Sequence, residues 1–311
     1  MRNMRRAGLL MASFGPFLWG SSGTVAQHLF EHAGVSVSWL TAVRMTFTGI
    51  VLLLLAACLH DNIWSIFADR RSAARLLLFT VFGMTGVQLS YFMAISTGNA
   101  ATATILQYLS PVMIILLLSL RNLRLPRKLD AISVIVAVAG TTLIVTQGRT
   151  DTLAVPPAGI IWGLLAAAGA VAYTLLPREL LLRYGALPVV GWSMLIGGLI
   201  TQAVFRPWAQ RVQLDVPGAI EVAFVVVFGT AMAYLLYLQS LKYIEATTAS
   251  ILGAIEPLTA AILGFIFMGT SANQYSVIGM VMVIAVTFIQ FIAYRKSPPL
   301  HRGNERGKLS P

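Results

Sequence analysis

Ten runs of roughly twenty apolar or small residues, separated by short polar segments, dominate the sequence. A run of that length crosses the hydrocarbon core of a bilayer as a helix, because lipid offers the backbone no hydrogen-bond partner outside the segment. The expectation is an all-α membrane protein with ten transmembrane helices. The first five cover Ala7 to Phe30, Val37 to Leu59, Ala73 to Ile95, Ala100 to Leu120, and Ala131 to Gln147. The second five cover Gly159 to Leu182, Val189 to Phe205, Ala219 to Leu241, Ala246 to Met268, and Tyr275 to Tyr294. With 57% hydrophobic and 11% charged residues, a water-soluble fold is excluded.

The basic residues set the orientation. With the N-terminus in the cytoplasm, eighteen lysines and arginines fall on the cytoplasmic side and three, Arg149, Arg206 and Arg211, on the other. Both termini are therefore expected to be cytoplasmic, and the net charge of +11 reads as membrane orientation rather than nucleic-acid binding. Arg2, Arg5 and Arg6 imitate a signal peptide, but the run behind them is span-length and reads as a retained first helix. The single cysteine, Cys58, allows no intrachain disulfide and reads as a small packing residue.

An internal repeat organises the chain. Residues 82–111 laid over 228–257, a constant shift of 146 without gaps, match at ten of thirty positions, including Gly83 with Gly229, Tyr91 with Tyr237, and Pro111 with Pro257. That shift carries five spans, an odd number, so the halves must cross the membrane in opposite directions. Two inverted five-helix repeats follow, residues 1–147 and 159–294, with an exposed linker at 148–158 and a basic tail at 295–311. Transporters of this architecture hold substrate near the midplane between the halves and alternate access around it.

Within the ninth run, Glu256 and Pro257 interrupt an otherwise apolar stretch. An ionised glutamate at that depth costs at least ~2.5 kcal/mol, which marks a functional position or a protonated carboxyl bonded to a neighbouring helix. Pro257 cannot donate to the Gly253 carbonyl, so a helix break is expected there and at the equivalent Pro111, leaving a free carbonyl beside the carboxylate. Pro16 could hinge the first helix in the same way. Arg44 lies within the second run, with three roles open to it: pairing with Glu256, meeting a substrate carboxylate, or snorkelling to the surface.

Trp19, Gln88, Tyr91, Gln107, Tyr173, Tyr234 and Tyr237, together with Glu256, are the candidate substrate-binding residues. Each has a packing or interfacial alternative, but polar and aromatic groups at this depth suit a zwitterion or another small polar metabolite. Glu256 and Arg44 are the candidate coupling residues, Glu256 by exchanging a proton or by binding a substrate amine, with proton antiport and facilitated diffusion both open. Trp39, Trp64 and Trp208 fall at membrane boundaries and need only the aromatic-belt explanation. Small-residue pairs such as Gly159 with Gly163 and Ala166 with Ala170 allow close helix approach and leave room for a homodimer.

Enzyme chemistry is poorly supplied. Gly20-Ser21-Ser22-Gly23 matches the short motif of intramembrane serine proteases, but His28 lies on the same helix about 9 Å along the axis and cannot face the serine. No zinc motif, paired-carboxylate signature or nucleotide-binding loop is present in the sequence, so no catalytic residue, metal or cofactor is assigned.

Trp19-Gly20, Leu40-Thr41-Ala42-Val43-Arg44, and the Ala-Thr-rich helix starts running to Pro111 and Pro257 resemble the EamA family of the drug/metabolite transporter superfamily. Asn99 to Thr104 and Leu187 to Trp192 are most similar to its YicL-like branch, associated with carboxylates, amino acids or amines. The resemblance implies a secondary transporter of the inner membrane, commonly an exporter, with metabolite uptake or multidrug efflux as the alternative. Many members carry Gly-Glu where this chain has Leu120-Arg121 and Gly269-Thr270, so no coupling role transfers to those places and Glu256 becomes the principal proton-responsive candidate.

Overall fold

A computed structural model describes residues 2–121, 123, 125–149, 153–209, 212–244, 246–270 and 273–296. Among them the chain is helical, without strands. The helices are α1 (Arg2–His32), α2 (Val37–Cys58), α3 (Arg70–Thr97), α4 (Ala100–Arg121), α5 (Lys128–Thr146), α6 (Pro157–Leu175) and the short α7 (Arg178–Tyr184). They continue with α8 (Ala186–Phe205), α9 (Val216–Ser240), α10 (Ala246–Gly253), α11 (Ile255–Phe267) and α12 (Gln274–Lys296). Each of the ten expected runs is helical over most of its length. Seven helices among the described residues (α2 to α6, α8 and α9) are long and apolar enough to cross a membrane.

Several details depart from the sequence expectation. The sixth run is divided at Leu176-Pro177, where α6 ends and α7 begins. The glycine that follows α7, Gly185, takes φ +81°, a conformation that favours glycine. Pro16 does not break α1, which continues through it. Cys58 is exposed at the end of α2 instead of packed. The linker is not wholly exposed: Val155 is buried, and Ala154 N–H donates to the Val145 carbonyl at 2.8 Å. Asp151 and the tail beyond residue 296 lie outside the described residues.

Helix pairs meet where glycine removes the side chain, since in lipid close van der Waals approach takes the place of the hydrophobic drive. α2 packs on α8 through Gly49, Gly191 and Gly198, and α5 packs on α12 through Gly140 and Gly279. α1 lies on α9 and α11, while α6 lies on α3 and α4. A Cβ on Gly169 would stand 2.7 Å from the Val87 nitrogen, and one on Gly163 would strike Leu106, so the small-residue face of α6 is already occupied within the chain. The homodimer surface expected there is therefore not free.

Two helices carry a wide π-helical turn, α3 over Phe79–Thr85 and α9 over Phe224–Met232. The 146-residue shift brings one onto the other. In both, the polar and aromatic candidates follow directly: Gln88 and Tyr91 on α3, Tyr234 and Tyr237 on α9.

Near the start of α3 the chain is tied to α7. Asp69 caps α3 by accepting from Arg71 N–H at 3.1 Å, and accepts also from the Ser72 hydroxyl at 2.8 Å and from Arg183 at 3.0 Å. Arg75 pairs with Glu179, and the Tyr184 hydroxyl donates to Ser72 at 3.1 Å. The Ser72 hydroxyl, then the Arg71 N–H, and more weakly Arg183 hold the Asp69 carboxyl below its ordinary range. Its folded value thus lies below its unfolded one, so its stabilisation is fully present above the unfolded value of about 3.9 and is lost as pH falls through the lower folded value. Asp69→Ala is expected to melt below the native protein in detergent at neutral pH. The gap should persist to about pH 4 and close only in stronger acid, as followed by thermal unfolding across a pH series.

Candidate functional site

The two helix breaks expected at Pro111 and Pro257 lie about one turn earlier, at Tyr108-Leu109 within α4 and at Ala254 between α10 and α11. The reason is directional. Proline lacks the N–H that would reach back to residue i−4, so the ladder opens on its N-terminal side, at the Gln107 and Gly253 carbonyls. Each proline then sits in the first turn of the segment that resumes, where its N–H is not needed.

The Gly253 carbonyl is not left free, as the sequence suggested. The Tyr108 hydroxyl, from the break in the other half, donates to it at 2.5 Å and stands beside the Glu256 carboxyl. One broken helix is thereby hydrogen-bonded to the other.

Around these breaks lies a cavity of about 200 Å³. All eight candidate substrate residues and Arg44 line it: Trp19, Gln88, Tyr91, Gln107, Tyr173, Tyr234, Tyr237 and Glu256, drawn from α1, α2, α3, α4, α6, α9 and α11. The sequence reading missed Ser22, Val87, Ala170, Gly229 and Thr230, which complete the wall. Small residues give no individual signal, although Gly229 is the repeat partner of Gly83.

The aromatic side chains form one wall. The Trp19 ring lies 5.1 Å from that of Tyr234 and 5.3 Å from that of Tyr237, with Tyr234 edge-on. Tyr91 shares a hydrogen bond of 2.9 Å with Thr104. Gln88 donates from Nε2 to the Tyr234 hydroxyl at 3.3 Å, so two positions superposed by the repeat shift touch each other.

Arg44 does not snorkel. It is 4% exposed, with its guanidinium carbon 3.6 Å from the centroid of the Phe92 ring. One terminal nitrogen donates to the Gln88 side-chain oxygen and, at 3.5 Å, to the Gln88 carbonyl; its Nε has no partner. Glu256 is 8% exposed and faces the same cavity. The two are not paired with each other: the ion pairs Arg75–Glu179 and Arg183–Asp69 and the His28–Glu221 contact involve other residues.

The motif serine, Ser22, faces the cavity, while Ser21 donates to the Phe17 carbonyl of its own helix at 2.8 Å and His28 is engaged with Glu221 on α9 at 3.0 Å. Gln27 instead ties α1 to the start of α4, its side-chain oxygen accepting from Ala100 N–H at 2.9 Å.

The model of the EamA-like transporter family matches the chain twice, over residues 6–146 and 157–292. A protein of Salmonella typhimurium described as an uncharacterized inner membrane transporter, YicL, is 36% identical over 282 residues, covering 90% of this chain and 93% of its own. The threonine/homoserine exporter RhtA of the same organism is 24% identical, with 90% of each chain covered. Among solved structures, one crystal structure matches with a TM-score of 0.63 at 16% identity, covering 93% of this chain and 98% of that one. That match shows a shared fold alone.

Proposed function

Because the chain belongs to the EamA-like transporter family, we propose that it is a secondary transporter that exports amino acids or related carboxylates and amines across the inner membrane. Two inverted five-helix halves, residues 1–147 and 159–294, alternate access to the central cavity, and both termini face the cytoplasm. Glu256 and Arg44 are the coupling groups, with protons as the coupling ion. The observation that carries this reading is the cavity itself: a buried cation, a buried carboxyl and a cluster of aromatic side chains share one void at the helix breaks. A packed membrane core has no use for two unpaired ionisable groups, each costly to bury.

Two features support inverted halves. The α1 contacts with α9 and α11 are matched by the α6 contacts with α3 and α4, which the repeat shift exchanges. The bond between Gln88 and Tyr234 joins equivalent positions, which can touch only beside an axis relating the halves. The distant likeness to a threonine/homoserine exporter favours amino acids and export over uptake or multidrug efflux.

Counterflow tests the proposal. Proteoliposomes preloaded with pooled amino acids, carboxylates and amines are expected to accumulate the labelled form of at least one compound, while protein-free liposomes do not. Accumulation at the protein-free rate for every compound would refute transport of these classes.

A further inference from the structure

The charges of the cavity are arranged for a ligand of a narrower kind than the small metabolites as a whole. Arg44 is buried, yet its hydrogen-bonding partner Gln88 brings it a neutral amide oxygen and a carbonyl, and Phe92 brings a ring face. None of these cancels the positive charge. Its Nε, a donor in a fixed planar fork suited to a carboxylate, has no partner. Glu256 is buried on the same void, with the Tyr108 hydroxyl beside it and no cation paired to it among the described residues. Tyr91 and Tyr234 lie within electrostatic range of both groups.

A cation and a carboxyl that share a void without meeting suit one molecule that meets both. We infer that the cavity selects amphoteric ligands, with the carboxylate read by Arg44 and the ammonium read by Glu256; this rests on the transport reading above. Gln88 is a positioning residue in this arrangement: it fixes the guanidinium without neutralising it, and is itself steadied by its bond to Tyr234. A simple amine would leave Arg44 unanswered and a simple acid would leave Glu256 unanswered. A buried polar group left without its partner is the strongest form of rejection a site can offer.

The test uses the full chain in proteoliposomes, loaded in separate batches with α-amino acids, with the primary amines left by their decarboxylation, and with the carboxylic acids that lack the amine. Native protein is expected to exchange at least one amino acid roughly a hundred-fold faster than its amine or its acid. Arg44→Gln is expected to erase the preference for the amino acid over the amine, and Arg44→Lys to keep part of it. The comparison among ligands needs no variant, so a misfolded mutant cannot obscure it. Equal exchange of an amine or an acid by native protein would overturn the inference and leave transport standing. No exchange in any batch would overturn both.

Discussion

Glu256→Gln is expected to lower exchange roughly a hundred-fold and to remove its dependence on pH, with no comparable fall in melting temperature. Glutamine keeps the shape but cannot take up or release a proton, and it offers a cation only a dipole. The carboxyl is buried on the cavity with no cation paired to it among the described residues, so its removal relieves a burden on the fold rather than creating one. Counterflow of the best exchanged compound over a pH series, read beside thermal unfolding of the same preparations, decides the matter. Unchanged exchange at every pH would show that the carboxyl plays no part in coupling.

Gly20→Val is the second substitution with a large expected effect, and its cause is steric. A Cβ at Gly20 would strike the Glu256 carbonyl oxygen, with the Thr259 Cβ at 2.8 Å and the Ala260 nitrogen at 3.1 Å. Two of those three atoms are backbone, so α1 must back away from α11. Overpacking of this kind costs up to about 3 kcal/mol and would move Trp19 and Glu256 apart. A lower melting temperature and lost exchange are expected together. Gly264→Ala on α11 provides the control: the nearest atom its Cβ would meet is the end of the Thr270 side chain, at 3.1 Å, and that side chain can turn aside. A Gly20 variant as stable and active as the Gly264 variant would contradict the close approach of α1 and α11.

Much of this arrangement can be read from the sequence because lipid makes polarity conspicuous. Gln88, Gln107, Arg44 and Glu256 stand out against apolar neighbours, and a polar side chain at that depth has few places to go except inward. The helices are legible for the same reason, since each run must supply its own backbone hydrogen bonds. Tyr108 was not legible: its role depends on a carbonyl that Pro257 releases far along the chain, and nothing near Tyr108 announces it. Pro177 was read through because the apolar run continues past it, although its ring ends α6. Which of its three roles Arg44 takes is not legible, because Phe92, whose ring face meets its charge, looks like any other apolar residue of a span.

The wide turns of α3 and α9 left no mark in composition, yet they give both rods a property that straight helices lack. Such a turn holds an extra residue in its loop of backbone, and it can travel by trading one i+5 bond for one i+4 bond at a time, without a net loss of hydrogen bonds. Every residue it passes swings through about 100° around the axis. Gln88 and Tyr91 lie just beyond one such turn, and Tyr234 and Tyr237 just beyond the other. Which way the walls of the void face is thus set by the register of a wide turn and not by the α-helical repeat alone.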